Sequence, residues 1–142
     1  MDIGKLNENI DENIHVLLVD DVPVIVSITQ TLLEQIGYIV QSVYNGKEAI
    51  ELIEEYHDVF DVIIADYSMP EMNGIELALA AKEFSVDTPI ILFTGKIESV
   101  DRNKFAEAGI DKTISKPCKI YKLDSVIKEV IGKKRERRHI IR

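Results

Sequence analysis

Apolar and polar positions fall into short blocks along the chain, and each block ends at a residue type that forbids its continuation. Residues 14–19 are apolar except for His15 and stop at Asp20-Asp21, which predicts a first strand. Val22-Pro23 then opens a helix, because a proline in the first turn loses no needed hydrogen bond and has its φ already set. Ile25, Ile28, Leu32, Leu33 and Ile36 recur at helical spacing, and Gly37 suits the C-cap. Residues 38–43 alternate more loosely, as a strand near the sheet edge does. Asn45, with Glu48 three residues on, predicts a capping box for a helix carrying Ala49, Ile50 and Ile53.

The stretch 61–74 is the most informative. Val62, Ile63, Ile64 and Ala65 suit a strand covered on both faces, and Pro70 with Asn73-Gly74 stops it, so Asp66 falls at its carboxyl end. A helix from about Gly74 to Phe84 follows, and Pro89 begins a strand over residues 90–93 that ends at Thr94-Gly95. Residues 97–108 predict a helix whose apolar stripe of Ile97, Val100, Phe105 and Ala108 is thin, making it the candidate mobile element. Gly109 ends it, and residues 112–115 form a short last strand before Lys116-Pro117. Leu123, Val126, Ile127, Val130 and Ile131 then give the clearest amphipathic helix in the chain.

Five strand-then-helix units imply an α/β fold with a parallel sheet, helices on both faces and right-handed crossovers. The flavodoxin-like, doubly wound five-stranded order 2-1-3-4-5 is the expected arrangement. Residues 1–13 are polar without periodic apolar positions and read as an irregular leader, 14–131 as the domain, and 132–142 as a basic tail.

Composition narrows the function. At 142 residues, 46% hydrophobic and 30% charged, the chain suits one compact domain with a complete core. No apolar run approaches the roughly 20 residues of a membrane span, and the N-terminus lacks a signal peptide's apolar segment, so a cytoplasmic protein is expected. The single Cys118 has no partner for a disulfide and no CxxC or histidine cluster with which to share a metal. Net charge is −8; residues 132–142 hold six Lys or Arg against one Glu, a local +5 that leaves −13 for residues 1–131. An acidic body of that kind repels nucleic acid and membrane surfaces. The tail itself reads as a solvated helix extension that the C-terminal dipole favours.

The chemistry gathers at strand ends. In the expected order Asp20-Asp21, Asp66, Thr94 and Lys116 follow neighbouring strands, at the edge where open parallel sheets bind ligands. Converging carboxylates repel unless a cation sits among them, and a hard cation such as Mg²⁺, held by carboxylates and leaving positions for phosphate oxygens, fits that need. Three carboxylates, one lysine and one Mg²⁺ sum to zero charge, and a dianionic acyl phosphate on Asp66 changes the sum to only about −1. Phosphoryl transfer needs positioning and neutralisation, which a metal and Lys116 supply from opposite sides, with Thr94 able to bond another oxygen. Asp66 is then the nucleophile.

Asp20-Asp21, Asp66 followed by Met69-Pro70-x-Met72-x-Gly74, Thr94 and Lys116-Pro117 together resemble the receiver domain of two-component response regulators, over residues 14–131. The resemblance implies that Asp66 takes its phosphoryl group from a histidine kinase or a histidine phosphotransfer protein. It further implies that Asp21 binds Mg²⁺ (or Mn²⁺) directly and Asp20 through water, that the Ser68 main-chain carbonyl adds a ligand, and that Lys116-Pro117 is a cis peptide. An output partner is expected on the face near residues 97–131, reached when Thr94 and Lys116 are drawn inward. The chain departs from the family where an aromatic commonly lies three residues before the lysine, since it has Thr113, and Gly95 replaces a more usual Ala. Lys96 and Ser68 flank the pocket where such side chains tune phosphoryl lifetime in relatives.

Other readings compete. An acid pair before a proline-initiated helix, taken alone, is a capping device, and only convergence with Asp66 and Lys116 argues otherwise. An aspartyl-phosphate hydrolase of the haloacid-dehalogenase kind also uses a strand-end Asp with Mg²⁺, but typically carries a second acid where this chain has Ser68. A flavin or nucleotide site needs Gly, Ser or Thr in the first loop, where Asp20-Asp21 repels phosphate. A pseudo-receiver scaffold sits poorly with the complete acidic set. With eleven residues after the last predicted helix, the expected object is a stand-alone receiver, or a receiver cut from a longer regulator or hybrid histidine kinase, acting as a switch and not as an enzyme.

Overall fold

The computed structural model describes residues 13–95 and 102–141, so most of the leader, Lys96 and the first part of the predicted 97–108 helix lie outside the described residues. Five parallel strands, β1 (His15–Val19), β2 (Ile39–Val43), β3 (Val62–Asp66), β4 (Ile90–Thr94) and β5 (Lys112–Ser115), lie in the order β2-β1-β3-β4-β5. The helices are α1 (Pro23–Gln35), α2 (Gly46–Tyr56), α3 (Gly74–Phe84), α4 (Arg102–Glu107) and α5 (Ile120–Ile141). The doubly wound arrangement expected from the alternation is the one observed.

Residue alternation along the strands divides the core in two. Leu17, Val19, Ile63, Ala65, Ile90 and Leu92 pack with Ala49 and Ile53 of α2, Leu77, Ala78 and Ala81 of α3, and Phe105 of α4. Val16, Leu18, Val62, Ile64, Ile91 and Ile114 pack with Val26 and Leu33 of α1 and with Leu123, Ile127, Val130 and Ile131 of α5. All five residues of β3 are buried, as the central strand of a sheet covered on both faces must be. β2, at the edge, shows the mixed exposure that its looser alternation predicts.

The α1 stripe differs from its appearance in the sequence. Of Ile25, Ile28, Leu32, Leu33 and Ile36, only Leu33 is buried, Val26 takes the other core position, and Ile28 is 54% exposed. The apolar face of α1 is wider than its contact with the sheet, with Ser27, Gln30, Thr31, Glu34 and Gln35 on the other side, so helical spacing alone did not select which part of that face is buried. The Asn45 cap also forms differently: its side chain accepts from the Glu48 N–H, while the Glu48 carboxylate reaches the Tyr44 N–H, so the reciprocal bond of a capping box is not made. The full capping box lies at Asn73 and Glu76, at the start of α3. Of the thin 97–108 stripe, Phe105 and Ala108 are described, and both are buried. α5 runs on through the basic segment to Ile141. Among the described residues no helix is long and apolar enough to cross a membrane.

Candidate functional site

The carboxyl edge of the sheet assembles the site from four strand ends. Asp20 follows β1 with its N–H donating to the Val43 carbonyl, and its Oδ1 accepts from the Val22 N–H at 3.0 Å. This bond reaches the N-cap residue itself, and α1 has no side-chain cap, so the acid does not cap the helix in the way weighed from the sequence, and its Oδ2 is left to face the site. Asp66 ends β3, and the next N–H, of Tyr67, donates to the Phe93 carbonyl on β4 at 2.8 Å. Lys116 follows β5 with its N–H donating to the Thr94 carbonyl at 2.9 Å, and the Lys116–Pro117 peptide is cis. Backbone bonds thus tie the Asp66, Thr94 and Lys116 ends to one another, and the pairing of Val19 with Ala65 sets Asp20 beside Asp66.

Carboxylate oxygens of Asp20, Asp21 and Asp66 lie within 4.8 Å of one another. Lys116 Nζ sits across from them, donating to Asp20 Oδ2 at 3.1 Å and reaching Asp66 Oδ1 at 3.1 Å. Asp20 and Asp66 are 4% and 8% exposed, while Asp21 is half-buried at the rim. Burial holds the Asp66 carboxyl above the usual carboxylate range; the Lys116 bond and charge oppose this, and the charges of Asp20 and Asp21 add to it. Burial by itself would depress the Lys116 ammonium, but its bonds to Asp20 and Asp66 outweigh that and push it up, so the lysine is a fixed cation. A cluster with one cation facing three acids is short of positive charge, and the donor set is all oxygen, which suits a hard divalent ion.

Thr94 is 1% exposed, and its Oγ1 has no hydrogen-bond partner among the described residues. A buried hydroxyl left unpaired costs free energy, so its persistence next to the acids is a feature that a further oxygen ligand would satisfy. Ser68 is exposed in the loop after Asp66, and Thr113 is half-buried on β5, in register with Leu92.

Three neighbours were not evident from motif reading. Phe93 carries Lys116 Nζ 6.0 Å from its ring centroid, a cation–π contact that steadies the lysine. Tyr67 stands edge-on to Phe105, centroids 6.2 Å apart and planes at 81°. The exposed α1 residues Ile25, Ile28 and Leu32 border an apolar cleft of ≈ 390 Å³ with Pro117 and Leu123, and Asp20 and Lys116 form its polar end. The spacing of α1 contained the last signal, but the ring contacts join residues on different elements and leave no periodic trace.

The comparisons agree with this geometry. The family model for the response regulator receiver domain matches residues 16–128. The response regulator SaeR of Staphylococcus aureus is 38% identical over 103 residues, which is 72% of this chain and 44% of SaeR, so the match spans less than half of that relative. A response regulator receiver domain protein from Clostridium thermocellum superposes with a TM-score of 0.81 at 24% identity, covering 86% of this chain and 97% of that one. The receiver domain of the sensor histidine kinase PA1611 from Pseudomonas aeruginosa PAO1, solved with a magnesium ion coordinated in its active-site cleft, gives 0.76 at 28% identity over 84% and 98% of the two chains. With its sheet order, its acid cluster and the matched span in agreement, the chain belongs to the response regulator receiver domain family.

Proposed function

We propose that Asp66 is the phosphoacceptor of this receiver. The reading rests on one observation above the others: three clustered carboxylates face a lysine that touches two of them. An Asp66 carboxylate oxygen attacks the phosphorus of a phosphohistidine, an O–P bond forms, and the N–P bond breaks with its electron pair returning to the imidazole nitrogen, which takes a proton. Lys116, already within 3.1 Å of Asp66, neutralises charge on the arriving phosphoryl oxygens, and the Thr94 hydroxyl bonds another of them. Asp20, Asp21, Asp66 and the Ser68 main-chain carbonyl would hold Mg²⁺ (or Mn²⁺), which when bound would supply further neutralisation of the phosphoryl oxygens.

The donor is a histidine kinase or histidine phosphotransfer protein. Its phosphohistidine must reach a cup whose rim adjoins the exposed apolar face of α1, so Ile25, Ile28 and Leu32 form its landing surface. The output partner reads the α4–β5–α5 side. Incubation with acetyl phosphate, with and without Mg²⁺, tests the assignment by intact mass. Wild type gains one phosphoryl group only with the metal and Asp66→Asn gains none; equal labelling of the variant would overturn the reading.

A further inference from the structure

Tyr67 is the residue that cannot move independently of the site. It is bonded covalently to Asp66, its N–H donates to the Phe93 carbonyl at 2.8 Å, and its carbonyl accepts from the Gly74 N–H at 2.9 Å. The backbone around it has no slack, because a Cβ on Gly74 would lie 3.0 Å from Tyr67 Cα and 2.9 Å from the Asp66 carbonyl oxygen. Any shift of the β4 end that carries Thr94 toward Asp66 pulls on Phe93, the residue to which the Tyr67 N–H is bonded. A movement of Asp66 itself or of the β4 end therefore arrives at Tyr67.

The Tyr67 ring delivers them to α4. This side chain is half-buried and packs on the core cluster that contains Phe105, meeting that ring edge-on at 6.2 Å. Phe105 is the buried residue within the six-residue α4 among those described, and its carbonyl accepts from the Ile110 N–H in the turn leading to β5. Moving Phe105 thus moves both the helix and the entry to β5. Thr113, which faces the same side of the sheet as its register partner Leu92, carries only a short side chain and presents no ring to α4.

We propose that the Tyr67–Phe105 ring pair is the link by which modification of Asp66 repositions α4. The proposal rests on Asp66 being the phosphoacceptor, and the experiment separates the two claims. The full chain, with Mg²⁺ and beryllofluoride as the phosphoryl mimic, is followed by ¹⁹F NMR for occupancy and by amide exchange over residues 102–110 for the response. Wild type and Tyr67→Phe, which keeps the ring, bind the mimic and change their exchange there. Tyr67→Leu and Phe105→Leu bind it with the same ¹⁹F resonance and lose the change. Retention of the full exchange response in both leucine variants overturns the ring-pair link while leaving the phosphoacceptor assignment intact. Absence of bound ¹⁹F signal in wild type overturns both. Phe105→Leu lies on another element from Asp66, so it decides the question even where Tyr67→Leu disturbs binding.

Discussion

α3 and α4 flank the same sheet edge on the same face of the sheet, yet they are held very differently. α3 begins with a full capping box and buries Gly74, Leu77, Ala78 and Ala81. Its first residue is pressed against Leu92, the Asp66 carbonyl and Tyr67. Among the described residues α4 covers Arg102–Glu107 and is anchored by Phe105, with Ala108 just beyond its end. A helix locked to the backbone of the reacting residue serves as a fixed reference, whereas the described part of α4 rests on one large side chain and is the less firmly tied of the two. On the proposed reading, the part that moves lies away from the loop that positions Asp66.

The sharpest way to break this contrast is to disturb the fixed side. In Gly74→Ala the new Cβ would meet a Leu92 methyl at 2.2 Å and the Asp66 carbonyl at 2.9 Å, and neither backbone nor core can yield cheaply. Urea unfolding should show a loss of about 3 kcal/mol, and phosphoryl labelling should fall with it, because the displaced atoms belong to Asp66 itself.

A second anchor, on the opposite face, sharpens the contrast. The buried Tyr38 hydroxyl donates to Asp124 Oδ1, tying α5 to the start of β2. Burial, then the bond to Asp124 and its charge, all push the Tyr38 phenol above its ordinary value. Tyr38→Phe should cost about 2 kcal/mol at neutral pH. The folded phenol keeps its proton more tightly than the unfolded one, so this contribution is complete below the ordinary tyrosine pKa of about 10 and fades as pH rises above it. The gap in unfolding free energy between wild type and Tyr38→Phe should therefore narrow in alkaline buffer.

Asn73→Ala removes the capping box and should cost about 1 kcal/mol. Amide exchange should quicken in the first turn of α3 and stay unchanged over 102–110, which is the signature of two independently held helices.

How far the sequence carried these conclusions depended on the kind of signal. Asp20, Asp66 and Thr94 were legible because each ends an apolar run, Lys116 because Pro117 follows it after the short last strand, and a parallel sheet brings such ends to one edge. The buried face of α1 was not, since Val24, Ile25, Ile28 and Leu32 make the helix apolar on its solvent side as well. The Asn73-x-x-Glu76 signature was present in the chain and passed unread, while Asn45-x-x-Glu48 was read as a box that forms only half. Tyr67 and Phe105 meet across separate elements, and nothing in the spacing of either residue marks the contact.

The central claim is that Asp66, and neither of the acids beside it, carries the phosphoryl group. Borohydride reduction of the acetyl-phosphate-treated chain converts an aspartyl phosphate to homoserine, and peptide mass mapping locates the converted residue. The account predicts homoserine at position 66 alone, formed only when Mg²⁺ was present during labelling. Homoserine at position 20 or 21, or none in a chain that had gained phosphoryl mass, would contradict it.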